Sequence, residues 1–232
     1  MYFLPVSDAE TPEAAKEEAS DSVLRMPGTA SAWRELIAVV LLSVTAIATA
    51  WSGFQASKWG GEMSISFSKA STARIEASRA DGNANRQLTI QVQLYTQWIG
   101  AVAAGDERQA TYIAERFPEP LATAFDAWIA TDPQNNPDAV DSPFAMPEYV
   151  QPDAVAAAEA DARADSLFQQ ALDNNQRGDN YTLLAVLFAT VLFFAAISGR
   201  VKREISAWML LSFGLVLFVG TAAILLTYPK IV

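Results

Sequence analysis

The sequence predicts an all-α membrane protein with three transmembrane helices and, between the first two, a long helical-hairpin stalk that ends in a small helical cap. Two observations predict this fold class. Three apolar blocks, each long enough to cross a bilayer, contain no charged side chain. Between the first and second blocks, apolar residues recur at steps of three and four, which is the spacing of a helix.

The first predicted transmembrane helix is residues 33–54; its charge-free block runs from Leu36 to about Phe54, and Trp33 and Trp51 lie near its ends as interfacial aromatics. The second is residues 181–199 and the third is residues 205–228. A helix of about 20 residues covers the ~30 Å hydrocarbon core, and buried helices of soluble proteins seldom reach that length without a charge. The first block is also too long, and begins too late in the chain, for a signal peptide.

Outside the spans, residues 1–32 are acidic and poor in large apolar residues, which predicts a disordered tail. Residues 55–180 are the predicted extramembrane domain. Its long first and last helices are expected to continue spans one and two. Between them, the sequence predicts two short helices over 106–131 and a proline-rich loop over 132–152.

One stretch of the first long helix is ambiguous. Leu88–Leu94 alternates polar and apolar residues as a strand does. We predict helix, because the chain offers no second strand for it to pair with and a lone strand is unstable. Gly60-Gly61 and Gly82 are the expected positions of kinks or breaks in this helix.

Basic residues predict the orientation in the membrane. The turn at 200–204 reads Arg-Val-Lys-Arg-Glu, and three basic residues in so short a loop favour the cytoplasm. Three spans place the N-terminus on the same side, so the domain 55–180 is expected to be external or periplasmic. Lys58, Lys69 and Arg177 argue against this orientation, because they flank the spans on the external side.

Composition excludes several classes of chemistry. The chain has no cysteine and no histidine, which removes disulfides, thiol catalysis and most zinc and haem sites. A net charge of −10 argues against nucleic acid as a partner. Asp132, Gln134 and Asn136 loosely resemble a calcium loop, but Pro137 stands where glycine is required, so a solvated acidic surface is the better interpretation. The sequence predicts no catalytic, cofactor or metal site.

Four basic residues follow one another along the first helix of the hairpin: Lys69, Arg74, Arg79 and Arg86. They are expected to pair with acidic residues of the opposite arm, for example Asp161 and Asp165. Contact with an anionic lipid or polymer is the alternative.

Trp51, Gln55 and Trp59 are four residues apart and are predicted to form one stripe where span one leaves the membrane. Amphipathic aromatic rings are common at this level of a bilayer, which favours an interfacial anchor. A pore mouth or a lipid-headgroup site is the alternative interpretation of these three residues.

Several segments carry a resemblance to known sequences. They are AWSGFQASKW from Ala50, VQLYTQW from Val92, ATDP from Ala130, PFAMP from Pro143, and Asn180-Tyr181. With these, residues 35–228 resemble a group of bacterial three-span integral membrane proteins of unknown function. The resemblance implies a bacterial inner membrane and supplies no activity or cofactor.

Three functions remain open. The first is a non-enzymatic structural or interaction protein that forms homo-oligomers through small-residue helix faces such as Ala46 and Ala50, with other membrane or envelope proteins as further partners. The second is a subunit of an oligomeric channel or transporter, supported by polar Ser43, Thr45 and Thr49 in span one. The third is a membrane enzyme that acts through carboxylates. The spans carry no charge, which argues against a coupled transporter.

Overall fold

A computed structural model of the chain describes residues 30–231. Within them lie α1 (Ala30–Ala103), α2 (Glu107–Ala114), α3 (Leu121–Ala130), a 3₁₀ turn (Pro143–Ala145), α4 (Pro152–Ser198) and α5 (Glu204–Thr227), and no strand. The all-α prediction is therefore confirmed. Three helices, α1, α4 and α5, are long and apolar enough to cross a membrane. The predicted tail over 1–32 lies outside the described residues, except that α1 already begins at Ala30.

Both long helices are continuous. α1 runs for 74 residues, which confirms helix at Leu88–Leu94. The prediction of breaks at Gly60-Gly61 and Gly82 was wrong, since the helix passes through all three glycines; a kink at these positions stays a prediction. A glycine costs a helix only about 1 kcal/mol relative to alanine, and the packing of neighbouring side chains outweighs a cost of that size. α4 likewise continues without interruption into the second apolar block, as predicted.

Residues 30–59 and 177–231 form one compact unit, here called the span unit. Segments of α1, α4 and α5 pack together in it around an apolar interior. Leu41 of α1, Val191 and Ala195 of α4, and Leu211 of α5 are each no more than 5% exposed. Because each helix carries an apolar face along its length, three of them can bury a shared interior.

The outer surface of the span unit is also apolar. Ile47, Ile205 and Val216 are each more than 70% exposed. A helix that is apolar on all sides is suited to lipid, since water would not solvate its outer face. The membrane assignment therefore rests on exposed residues as well as on helix length.

Residues 60–176 form the second compact unit, here called the hairpin unit. As α1 advances, its partners on α4 recede along the chain: Ser66 contacts Asn174, Arg74 contacts Asp165, and Gln87 contacts Asp153. The two arms are therefore antiparallel. Alanines line both sides of their contact: Ala70, Ala73, Ala77 and Ala84 on α1, and Ala157, Ala160, Ala164 and Ala171 on α4, all buried.

The end of the hairpin is closed by α2, α3 and the proline-rich loop, together called the cap. Pro118 and Pro120 separate α2 from α3, as predicted. An aromatic cluster forms the cap interior, with ring centroids of Trp98 and Phe125 4.9 Å apart. The loop is bound to this cluster because the Trp128 indole N–H donates to the Val140 carbonyl at 2.7 Å.

Candidate functional site

Gln55 connects α1 to the chain segment that follows α5. Its side chain is fully buried. The amide Nε2 donates to the Ile231 carbonyl at 2.9 Å, and the amide Oε1 accepts from the Ile231 N–H at 3.0 Å. One side chain thus satisfies both polar groups of one backbone residue, which leaves no unpaired buried polar group at this contact.

Tyr181 of α4 binds the same segment. Its hydroxyl donates to the Pro229 carbonyl at 2.9 Å, and its ring lies 5.7 Å from that of Tyr228 in an edge-to-face arrangement. Residues 228–231 are therefore held by Gln55 on one helix and Tyr181 on another. We call this arrangement the tail clasp.

Trp59 lies beside the tail clasp. The residue is 7% exposed and belongs to one buried cluster with Tyr181, Leu184 and Phe188. The guanidinium carbon of Arg177 lies 4.7 Å from the centroid of the Trp59 ring, a cation–π contact. The indole N–H of Trp59 has no hydrogen-bond partner among residues 30–231.

The structure brings together two of the three residues in the predicted stripe. Trp51 is 39% exposed and contacts the ring of Phe54, with centroids 5.7 Å apart. Each step of four residues turns a helix side chain by about 40°, so Trp51 faces further outward than Gln55 and Trp59 do. Tyr181, Arg177 and Ile231 could not be predicted as partners of this stripe, because they are far away along the chain.

A second polar arrangement lies in the cap. Gln91 is 1% exposed; it accepts from the Tyr149 hydroxyl at 2.5 Å and donates to the Glu119 carbonyl at 3.1 Å. Gln151 donates to the Tyr149 hydroxyl in turn. Burial raises the pKa of Tyr149 above its ordinary value, so this hydroxyl stays protonated and serves as a donor. The network joins α1 to the loop and holds no group poised for catalysis.

The stretch that resembles a calcium loop is a set of local turns. The Asp132 carboxylate accepts from the Asn135 side chain at 3.0 Å, and the Asn136 side chain donates to the Thr131 carbonyl. The backbone N–H of Asp138 donates to Asn136 Oδ1. These contacts give the polar side chains a structural role. No group of three acidic residues that could hold a metal ion occurs in the described part of the chain.

The predicted pairing between the hairpin arms is confirmed for Arg74. Its guanidinium binds Asp161 and, at 2.7 Å, Asp165. Hydrogen bonds to Asp165 and Asp161, together with their charge, raise the pKa of Arg74. A second pair joins Arg163 to Glu76 at 3.1 Å. Here the basic residue is on α4 and the acidic residue is on α1. Exposed ion pairs contribute little stability; these two are consistent with the antiparallel register of the two arms.

Polar residues of span one point in several directions. Ser43 is exposed and donates to its own helix at the Val39 carbonyl, as Thr49 does at the Thr45 carbonyl. Thr45 is fully buried. These residues therefore do not form one polar face on α1.

Comparisons of this chain with protein-family models, with curated proteins and with solved structures find no match. Function must therefore be argued from the chain's own geometry. That geometry offers an anchored segment with an unpartnered indole N–H in the span unit, and a hairpin closed by an aromatic cap.

Proposed function

We propose that this chain is a non-enzymatic, self-associating structural or interaction protein of the bacterial cytoplasmic membrane. One observation carries the proposal. Small residues at steps of four, three and four form an exposed stripe on α1: Ala46, Ala50, Gly53 and Ser57. A Cβ added to Gly53 would have no atom within 4 Å. Small exposed faces allow helices of separate copies to approach closely in lipid.

The distribution of carboxylates supports a role without catalysis. Between residues 32 and 231 no aspartate or glutamate is buried. A carboxylate-based enzyme places at least two such groups in a pocket, where burial shifts their pKa values apart. Acidic side chains spread over an exposed surface favour solubility and recognition instead.

The hairpin unit supplies a second element of the proposal. Its buried residues follow steps of three, four and seven, for example Ala157, Ala160, Ala164 and Ala171. This spacing is typical of a coiled coil, and we assign an antiparallel one to the hairpin. Exposed apolar residues such as Tyr112 and Ile129, which are 59% and 44% exposed, provide contacts for other membrane or envelope proteins.

The proposed orientation follows the basic turn. With 200–204 and the N-terminus in the cytoplasm, the hairpin unit lies outside or in the periplasm. A rigid helical hairpin with an aromatic cap is suited to contacts in that compartment.

The channel alternative has weaker support. Gln55, its strongest polar candidate, is bound to Ile231 on both sides of its amide. Phe188, Val191 and Leu211 fill the interior of the span unit. A conducting path would therefore need several copies and polar groups other than these.

Self-association is tested by substitutions on the small-residue stripe. In a mild detergent, the purified protein is expected to run as an oligomer by light scattering. Gly53→Leu is expected to shift it to monomer, because the larger side chain holds the helices apart. In membranes, Ala50→Cys is expected to form a disulfide-linked dimer on mild oxidation. Any disulfide must come from this position, because the wild-type chain has no cysteine.

Two control variants accompany this test. Gly220→Leu makes the same change at a glycine whose added Cβ also has no neighbour within 4 Å, and it should leave the oligomer intact. Ile47→Cys places the thiol on another exposed face of α1 and should give little dimer. A wild-type protein that runs as a monomer in mild detergent would refute self-association.

A further inference from the structure

The unpartnered indole N–H of Trp59 indicates that this part of the span unit is built for an acceptor. The residue is buried, and its N–H has no partner within residues 30–231. Its polar neighbours are satisfied, since Gln55 binds Ile231 and the Tyr181 hydroxyl donates to Pro229. Buried donors without partners are rare in proteins and destabilising. A hydrogen-bond acceptor from outside residues 30–231 would complete the site.

The charge at the site selects the kind of acceptor. Arg177 is exposed, and its guanidinium lies over the face of the Trp59 ring. The side chain that covers the ring on the solvent side is therefore itself an anion-binding group, with donors arranged to bind oxyanions. An anionic oxygen satisfies both residues, whereas a neutral acceptor satisfies only the indole.

The depth of the site in the membrane indicates which molecule supplies that oxygen. Trp59 follows the end of the first predicted span at Phe54 by five residues, which is about 7.5 Å along a helix. Arg177 precedes the second block, which begins at Tyr181, by four residues. The headgroup layer on each side of a bilayer is roughly 5–7.5 Å thick, so the two residues lie within it or at its outer limit. The phosphates of the lipids lie at this depth.

We propose that Trp59 and Arg177 bind the phosphate of an anionic phospholipid, with the indole N–H donating to a phosphate oxygen and the guanidinium pairing with its charge. The proposal rests on the membrane placement of the span unit, and it gives Trp59 a specific ligand in place of a general interfacial role. Trp51, which is exposed and lacks a basic partner in the contacts of its ring, has no such ligand.

The test measures lipid retention by native mass spectrometry of the purified full chain. Phosphatidylglycerol and phosphatidylcholine are the two probes, and phosphatidylglycerol is expected to be retained preferentially. Trp59→Phe keeps the ring and removes the N–H, and Arg177→Gln removes the charge. Each is expected to lower retention of phosphatidylglycerol about tenfold, the effect of one hydrogen bond to a charged group. Arg177→Lys is expected to keep most of it.

Matched controls exist on the same helix. Trp51→Phe removes an indole N–H, and Lys58→Gln removes a positive charge, from residues outside the site; both are expected to leave retention unchanged. If these variants lose lipid as Trp59→Phe and Arg177→Gln do, the contact is unspecific and the proposal is wrong. Competition by millimolar inorganic phosphate would point to a free anion and overturn the lipid assignment.

Membrane placement is measured separately by fractionation of cells that express each variant. The protein is expected in the membrane fraction in every case, and equal melting temperatures in phosphatidylcholine nanodiscs would show that the variants fold. A chain found outside the membrane fraction would contradict the proposed function itself. If the wild-type protein stays in the membrane fraction but shows no preference for phosphatidylglycerol, the proposed Trp59 site is wrong and the proposed function is not affected.

Discussion

Among single residues, Gln55 illustrates how a polar side chain can be buried inside the span unit. Both ends of its amide bind the backbone of Ile231, so burial leaves no polar group unpaired. The same contact fixes residues 228–231 against α1, and Tyr181 fixes them against α4. The clasp therefore determines where the chain runs after α5 ends at Thr227.

Replacing Gln55 by Leu is expected to release this segment. The substitution removes two hydrogen bonds and leaves the Ile231 N–H and carbonyl unpaired, at a cost of about 1–3 kcal/mol for each buried group. Hydrogen exchange of the C-terminal peptide, followed by mass spectrometry, should become much faster. Ser57→Ala, at an exposed neighbouring position, is the control and should exchange as the wild type does. Unchanged exchange in the Leu variant would mean that packing alone holds the segment.

Among the elements, α4 and α5 approach each other closely at a glycine of α5, Gly214. A Cβ at Gly214 would lie 3.5 Å from the Phe194 Cβ and 3.8 Å from the Val191 carbonyl oxygen. This glycine is buried, so its lack of a side chain allows the two backbones to approach. Small residues have this role in helix contacts within lipid, where the hydrophobic effect does not drive association.

Substitutions at Gly214 are expected to depend on size. Gly214→Ala should be tolerated, because 3.5 Å is an ordinary contact distance for the added methyl group. Gly214→Leu should destabilise the protein by about 1–3 kcal/mol, the usual cost of overpacking, and lower its melting temperature in detergent. Gly220→Leu adds the same side chain where there is open space and should melt close to the wild type. Equal melting of the two Leu variants would contradict the close contact.

At the scale of the whole molecule, the two units expose different kinds of surface. The span unit exposes aliphatic residues such as Ile205, at 76% exposed, whereas the hairpin unit exposes ion pairs such as Arg74 with Asp165. A surface of the first kind requires lipid and one of the second kind requires water. The basic turn at 200–204 predicts which side of the bilayer the hairpin unit occupies, and this stays a prediction.

The orientation is tested by labelling single cysteines in intact cells with a membrane-impermeant maleimide. Asp138→Cys in the exposed loop of the cap is expected to react from outside the cytoplasmic membrane. Lys202→Cys in the basic turn is expected to react only after the cells are lysed. Because the chain has no native cysteine, each signal comes from one site. The reverse pattern would place the hairpin unit in the cytoplasm.

Much of this fold can be predicted from the sequence because the signals are local. Charge-free blocks of about 20 residues identify the spans, and Pro118 and Pro120 lie between two helices because proline is not tolerated inside one. The pairing of Arg74 with Asp161 and Asp165 follows once two arms are assumed to be antiparallel. The predicted breaks at Gly60-Gly61 failed because glycine weakens a helix by less than its neighbours stabilise it.

By itself, the sequence determined the all-α class, the three apolar helices and the excluded chemistry, since each depends on residue types and short-range spacing. Only the tertiary structure decided which polar residues meet. Gln55 lies 176 positions before Ile231, and Trp59 lies far before Arg177 in the chain, so no periodicity links them. Such contacts depend on how three helices are rotated against one another, because rotation determines whether a residue on a mixed face, such as Trp51 or Trp59, meets lipid or the interior.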